Sequence, residues 1–241
     1  MPIIGVPLRY SKLEDGRPIL YLSEKLRRTI QRAGGFILPI VQTGYYDYVN
    51  TKYNEFGKLS LKEKKEIDKY LDMVDGVIFP GGFKITPFDK YLLDRCIERN
   101  IKTLGICLGM QLMSCVGEDF KVYKNDPNIN HYQEDDNILT HDVIISKDSK
   151  LYKILGTDKI KVNSFHRYHV KINNNYKVVG MSEDGLIEAI ELKDKTFNVG
   201  VQWHPEISYD FDDNSKKLID YFIKICEKNC WQTKYFCIKY Y

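Results

Sequence analysis

Ile101-Lys102-Thr103-Leu104-Gly105-Ile106-Cys107-Leu108-Gly109 is a short apolar run that breaks on a cysteine held between two glycines, and a helical pattern opens directly after it. Small flanking residues are what a strand needs in order to pass into a helix through a strained, tight turn. The same order of apolar run, glycine turn and helix stands upstream at Asp75-Gly76-Val77-Ile78-Phe79-Pro80-Gly81-Gly82, ahead of a helix near Asp89 to Arg99. Closer to the N-terminus, Ile3-Ile4-Gly5-Val6-Pro7 reads as a strand, followed by a loop and by a helix on which Leu22, Leu26 and Ile30 recur until Gly34-Gly35 stops them. Phe36 to Ile40 gives the next strand, and Ser60-Leu61-Lys62-Glu63 has the spacing of a capping box ahead of Ile67, Leu71 and Val74. This alternation predicts a three-layer α/β fold, a mostly parallel sheet with helices on both faces. Ligands of such sheets bind outside the carboxyl ends of the strands, where both glycine turns lie.

The rest of the chain is less regular. Tyr45 to Gly57 reads as a tyrosine-rich surface loop, and Lys121 to Asp136 is polar and asparagine-rich. Strands are expected at His141–Ser146, Lys159–Asn163, His169–Asn173, Lys177–Ser182, Ile187–Leu192 and Phe197–Trp203, and some of them must pair antiparallel. A last helix from about Asn214 to Lys228, capped by Asp213, carries Leu218, Ile219, Phe222 and Cys226 on one face. Residues 1–230 are expected to form a single domain, and the tail 231–241, with five aromatics, is assigned no function.

With 43% apolar and 29% charged residues the composition is that of an ordinary globular chain. No stretch reaches the ~18–20 apolar residues that cross a bilayer, and the N-terminus lacks a basic leader, so a cytoplasmic location is expected. The net charge of +3 comes from 36 basic and 33 acidic residues scattered without a stripe, which argues against nucleic acid. Six cysteines without a CxxC do not suggest a disulfide framework or a zinc site. His166 and His169, three apart in extended chain, face opposite ways and make no metal pair, and His131 with Glu134, Asp135 and Asp136 reads as a solvated loop. No metal is expected.

Two elements carry chemistry. Cys107 sits where the backbone N–H of the next residue can serve an oxyanion, although a buried core cysteine would show the same residue. Gly200-Val201-Gln202-Trp203-His204-Pro205-Glu206 ends a strand on a histidine with a carboxylate two residues on. In extended chain those two side chains share a side, as an oriented general base requires.

With Pro80-Gly81-Gly82 between them in role, these elements resemble the class I glutamine amidotransferase-like superfamily over nearly the whole chain. Gly105 to Gln111 matches its G-x-C-x-G-x-Q element, and Gly200 to Glu206 matches G-V-Q-x-H-P-E in full. Val162-Asn163-Ser164-Phe165-His166 and Asp184-Gly185-Leu186-Ile187-Glu188-Ala189 are similar to the γ-glutamyl-γ-aminobutyrate hydrolase branch of the C26 peptidases. The resemblance implies Cys107 as nucleophile, His204 as acid and base, Glu206 as its orienting carboxylate, and the N–H groups of Gly82 and Leu108 as the oxyanion hole. It implies a small γ-glutamyl substrate, cleaved through a thioester to glutamate and an amine, with no cofactor. Gln111 would touch the glutamyl head group or cap the elbow helix. Asn163 and His166 would line the pocket, or His166 would be hydrogen-bonded between strands. The chain departs from the branch at Phe83, in place of a third glycine, and at Tyr168, in place of a glutamine, which bears on the leaving amine. Two rival readings stand beside this one: a glutaminase subunit feeding ammonia to a partner synthase, and a non-catalytic binding protein on the same fold. A homodimer is compatible with all three.

Overall fold

The computed structural model describes residues 1–44, 58–117, 120–125, 131–171, 174–193 and 196–227. The expected loop Tyr45 to Gly57 and the aromatic tail lie outside them. From the N-terminus, β1 (Ile3–Pro7) runs into a hairpin of β2 (Arg9–Lys12) and β3 (Pro18–Tyr21), then α1 (Glu24–Arg32) and β4 (Phe36–Ile40). The hairpin replaces the expected loop. It pairs Arg9 with Tyr21 and Lys12 with Pro18 as a ribbon apart from the main sheet, so it needs none of the apolar alternation by which strands are recognised.

Next come α2 (Leu61–Met73), β5 (Gly76–Phe79), α3 (Pro87–Glu98), β6 (Lys102–Ile106) and α4 (Leu108–Met113), in the expected order. The capping box at Ser60 is present: the Glu63 N–H donates to Ser60 Oγ at 3.2 Å, and the Ser60 N–H donates to Glu63 Oε2 at 2.7 Å. The strand-rich part holds β7 (Tyr123–Lys124), β8 (His141–Ile145), α5 (Lys150–Leu155), β9 (Lys159–Val162), β10 (Tyr168–His169), β11 (Tyr176–Ser182), β12 (Ile187–Leu192) and β13 (Asn198–Val201), before α6 (Pro205–Ser208) and α7 (Asp213–Cys226). Of the strand expected at His169 to Asn173, residues 172–173 lie outside the described residues, and β10, at its start, pairs with β7. The cap of α7 is Asp212 rather than Asp213, its carboxylate accepting from the N–H groups of Asn214 at 3.3 Å and Ser215 at 2.9 Å.

Nine strands form the main sheet in the order β4-β1-β5-β6-β13-β12-β11-β8-β9. The first five are mutually parallel, and from β13 outward every pairing is antiparallel. Helices cover both faces. Ile4, Ile30, Ile78, Leu151 and Phe222 pack together under α1, α5 and α7, while Ile67, Val77, Phe79, Leu92 and Met110 pack under α2, α3 and α4. Ile78 thus points to one face and its neighbours Val77 and Phe79 to the other, which is why β5 reads as an unbroken apolar run. Among the described residues no helix is long and apolar enough to cross a membrane.

One buried contact ties the antiparallel half to its helix. Glu191 on β12 accepts from the backbone N–H groups of Lys150 at 3.0 Å and Leu151 at 2.7 Å, filling two orphan donors at the start of α5. Glu191→Ala takes the acceptor from the buried Leu151 N–H and is expected to lower the unfolding free energy by about 1–3 kcal/mol, measured by urea denaturation.

Candidate active site

Parallel pairing of β5, β6 and β13, with Phe79 level with Gly105 and Ile106 level with Val201, ends the three strands at one edge of the sheet. The segments that leave that edge are Pro80–Gly82, Cys107 and Gln202–Glu206. Cys107 adopts φ 50° and ψ −104°, a conformation costly to any residue with a side chain. Its N–H donates to Val201 O at 2.8 Å and its carbonyl accepts from Gln111 N–H at 3.0 Å, so the turn is anchored to both β13 and α4. Helix α4 then passes so close to the end of β5 that a Cβ on Gly109 would lie 2.1 Å from Phe79 O. Only glycine fits there.

His204 is the N-cap of α6, and its Nδ1 lies 2.7 Å from Glu206 Oε1. The two side chains meet around a helical first turn and not along the extended chain expected from the sequence. Pro205 stands at the first helical position, where its missing N–H costs nothing. Asn163 grips the His204 backbone from both sides, its Oδ1 accepting from the His204 N–H at 2.8 Å and its Nδ2 donating to the His204 carbonyl at 2.8 Å. Phe165 packs edge-on against the imidazole at 5.6 Å between ring centroids. Burial pushes the His204 pKa down, but the Glu206 carboxylate and Cys107 more than reverse this and hold it well above the usual histidine value.

Cys107 and His204 border a cavity of about 320 Å³ together with Gly81, Gly82 and Phe83. A Cβ on Gly81 would sit 2.6 Å from His204 Cε1, so this turn packs directly on the ring. Leu108, the first residue of α4, is buried beside the elbow. Aromatic side chains of Tyr21, Tyr132 and Phe165 form much of the remaining wall.

Gln111, Asn163 and His166 do not line this cavity; each is at most 5% exposed and occupied by protein partners. Gln111 Nε2 donates to Tyr168 O at 3.1 Å and to Gln202 Oε1 at 3.3 Å, and Gln202 Nε2 in turn donates to Cys107 Sγ at 3.4 Å. In this geometry the three side chains contact protein groups behind the cavity wall. His131 also departs from its expected place. It turns inward, away from the exposed Glu134 and Asp135, and contacts Asp184 and His166. His166 and His169 both reach Asn125, whose Nδ2 lies 3.3 Å from His166 Nδ1 and whose Oδ1 lies 3.2 Å from His169 Nδ1, and His169 stacks on Tyr123.

Arg9 has no counterpart in the sequence reading. Its Nη2 donates to Pro80 O at 2.8 Å, its Nε lies 3.3 Å from Gly81 O, and its Nη1 reaches Asp89 Oδ1 at 2.7 Å. The Asp89 carboxylate also accepts from the Thr86 N–H at 2.9 Å, so one guanidinium fastens the glycine turn to the start of α3. Only the basic residue type at position 9 was visible in sequence, with nothing local to name its partner.

The peptidase C26 family profile matches residues 88–206. A Schizosaccharomyces pombe protein that carries the name of a glutamine amidotransferase is 32% identical over 188 residues, covering 67% of this chain and 72% of that protein. The gamma-glutamyl-gamma-aminobutyrate hydrolase of Escherichia coli is 25% identical over 256 residues, covering 94% of each. Among solved structures, the glutaminase domain of Trypanosoma brucei CTPS with bound acivicin matches with a TM-score of 0.64 at 17% identity over 96% of each chain. That likeness is one of fold.

Arg9 and Asp89 are both buried, so Arg9→Met strands a carboxylate in the interior. It is expected to lower the unfolding free energy by about 3–5 kcal/mol in urea titrations, and adding Asp89→Asn should recover part of the loss.

Proposed function

Because the chain belongs to the glutamine amidotransferase-like proteins and its residues 88–206 match the peptidase C26 family, we propose that it is a free-standing hydrolase of γ-glutamyl amides of small molecules. The observation that carries this reading is the pairing of a backbone-strained cysteine with a histidine whose far nitrogen lies 2.7 Å from a carboxylate, both on one cavity of small-molecule size. A non-catalytic binding protein would have no use for that arrangement.

In the proposed cycle Cys107 attacks as the thiolate of a thiolate–imidazolium pair with His204. Its sulfur bonds to the side-chain carbonyl carbon, and the electron pair of the C=O moves to oxygen, where the N–H groups of Gly82 and Leu108 receive it. His204 gives its proton to the leaving nitrogen as the C–N bond breaks. The γ-glutamyl thioester remains. Water then attacks the thioester carbon while His204 takes its proton, and the C–S bond breaks to release glutamate and restore Cys107. Glu206 holds the ring in one tautomer and supports its positive charge throughout. Asn163 positions His204 through the backbone, and Gln202 donates toward the sulfur from the side away from the cavity.

A second reading is a glutaminase subunit that passes ammonia to a synthase. The two part on partner dependence. Purified protein is expected to release glutamate from γ-glutamyl-γ-aminobutyrate or γ-glutamyl peptides unaided, and Cys107→Ala to reduce that rate by about 10⁶-fold. Turnover of glutamine only, or silence until a synthase is added, would overturn the free-standing reading.

The raised pKa of His204 also sets the pH profile. The imidazolium is kept below that pKa and lost as pH rises through it, so the alkaline limb should lie above the ordinary histidine range. Glu206→Gln removes the charge that raises it, and the limb is expected to move to lower pH in kcat/KM profiles.

A further inference from the structure

Three histidines and a glutamate that the proposed hydrolysis does not use meet in the interior. His131, His141, His166 and Glu188 are each 4% exposed or less, and one ligand atom from each lies within 4.8 Å of all the others. They come from the loop before β8, the first residue of β8, the loop after β9, and β12.

The outer nitrogen of each ring is engaged by an acceptor. His131 Nε2 lies 3.2 Å from a carboxylate oxygen of Asp184, His141 Nδ1 lies 3.3 Å from the Asp142 carbonyl, and His166 Nδ1 lies 3.1 Å from the Tyr168 carbonyl and 3.3 Å from the amide nitrogen of Asn125. An oxygen that can only accept requires the proton on the facing nitrogen, which leaves the other nitrogen of a neutral imidazole as a lone pair. On His131 and His141 that lone pair points inward. His131 Nδ1 and His166 Nε2 are 3.1 Å apart, each is 3.3 Å from Glu188 Oε1, and His141 Nε2 is 3.8 Å from the same oxygen. Yet His141 Nε2 and both oxygens of Glu188 have no hydrogen-bond partner. Acceptors left without a donor in a dry interior are costly unless a cation lies among them.

Four donors around an ion with bonds of about 2.0–2.1 Å stand about 3.3 Å apart, close to the shorter separations found here. Asp184 behind His131, and the carbonyls behind His166 and His141, are the outer partners that orient imidazole ligands in metal sites. We propose that His131, His141, His166 and Glu188 bind a divalent transition-metal ion in a closed, four-coordinate structural site, with Zn²⁺ the ion that imidazole and carboxylate donors favour. The ligands flank the cavity wall. Tyr132 follows His131, Phe165 precedes His166, and the two form a β-bridge to each other. Asn163, which grips His204, lies three residues before His166. The ion therefore fastens the wall that faces substrate and the loop that positions the histidine.

The test uses the full chain carrying Cys107→Ala, so that the cysteine–histidine pair cannot hold the ion. Protein stripped with a chelator, reloaded with Zn²⁺ and passed through gel filtration is expected to retain about one zinc per chain by mass spectrometry of the metal, and to melt about 5 °C or more higher than the stripped form. Adding His141→Gln or Glu188→Gln should abolish both effects. Should those variants not fold, Co²⁺ loading of the Cys107→Ala chain decides instead. Intense visible d–d bands of a four-coordinate nitrogen and oxygen site support the proposal, and a weak six-coordinate spectrum overturns it. Zinc that is not retained, or is retained equally by the folded variants, also overturns it, and the four groups then share protons only.

Discussion

The parallel register of β5, β6 and β13 is the constraint on which the site rests. Because Phe79 is level with Gly105 and Ile106 with Val201, three strands end together, and segments far apart in sequence emerge side by side. Everything around Cys107 serves to hold that register against the strain of its φ. The elbow is hydrogen-bonded to β13 on one side and α4 on the other, and α4 is pressed onto β5 through a glycine that tolerates no added atom. A slip of one residue in any of the three strands would turn the chemistry into the core.

The parallel half was legible in sequence for a physical reason. Strands buried on both faces must be apolar throughout, so Gly76–Phe79 and Lys102–Ile106 stand out, and their glycine turns mark the strand ends. The box at Ser60 and the Cys107 and His204 motifs were equally local. Features built by long-range partners were not. The hairpin of β2 and β3 buries little and shows no periodicity, and α6 is a single turn in which proline and two polar residues look like loop. Arg9 finds the turn at Pro80 and the carboxylate of Asp89 across about eighty residues, and no pattern around position 9 says so. Gln111, Asn163 and His166 stood in legible motifs, but a motif records which residues are needed and not which way they face.

The polar residues behind the site are buried and nearly saturated with partners. Asn163 spends both ends of its amide on the N–H and carbonyl of His204, and Gln202 links Gln111 to the sulfur. In a low-dielectric setting such networks are rigid because each broken bond leaves a group unsatisfied. The site is thus placed by backbone held from behind, while its open side is walled by aromatic rings whose contacts with a ligand are largely shape. The two jobs fall to different residues, and substitutions at Phe83, Tyr132 or Tyr21 meet different constraints from those at Asn163.

The burial of the thiols has a consequence for covalent chemistry. Among the described cysteines, Cys96 and Cys226 lie in the core, and burial drives the Cys96 thiol strongly up and the Cys226 thiol up to about 12, far from the thiolate that reacts with electrophiles. Cys115 is buried and held by Ser114 and the backbone of Lys121. Cys107 alone of these four borders a cavity. A small alkylating agent shaped to enter between the aromatic walls would therefore discriminate among the four sulfurs by access before reactivity, and a bulky one would find none of them.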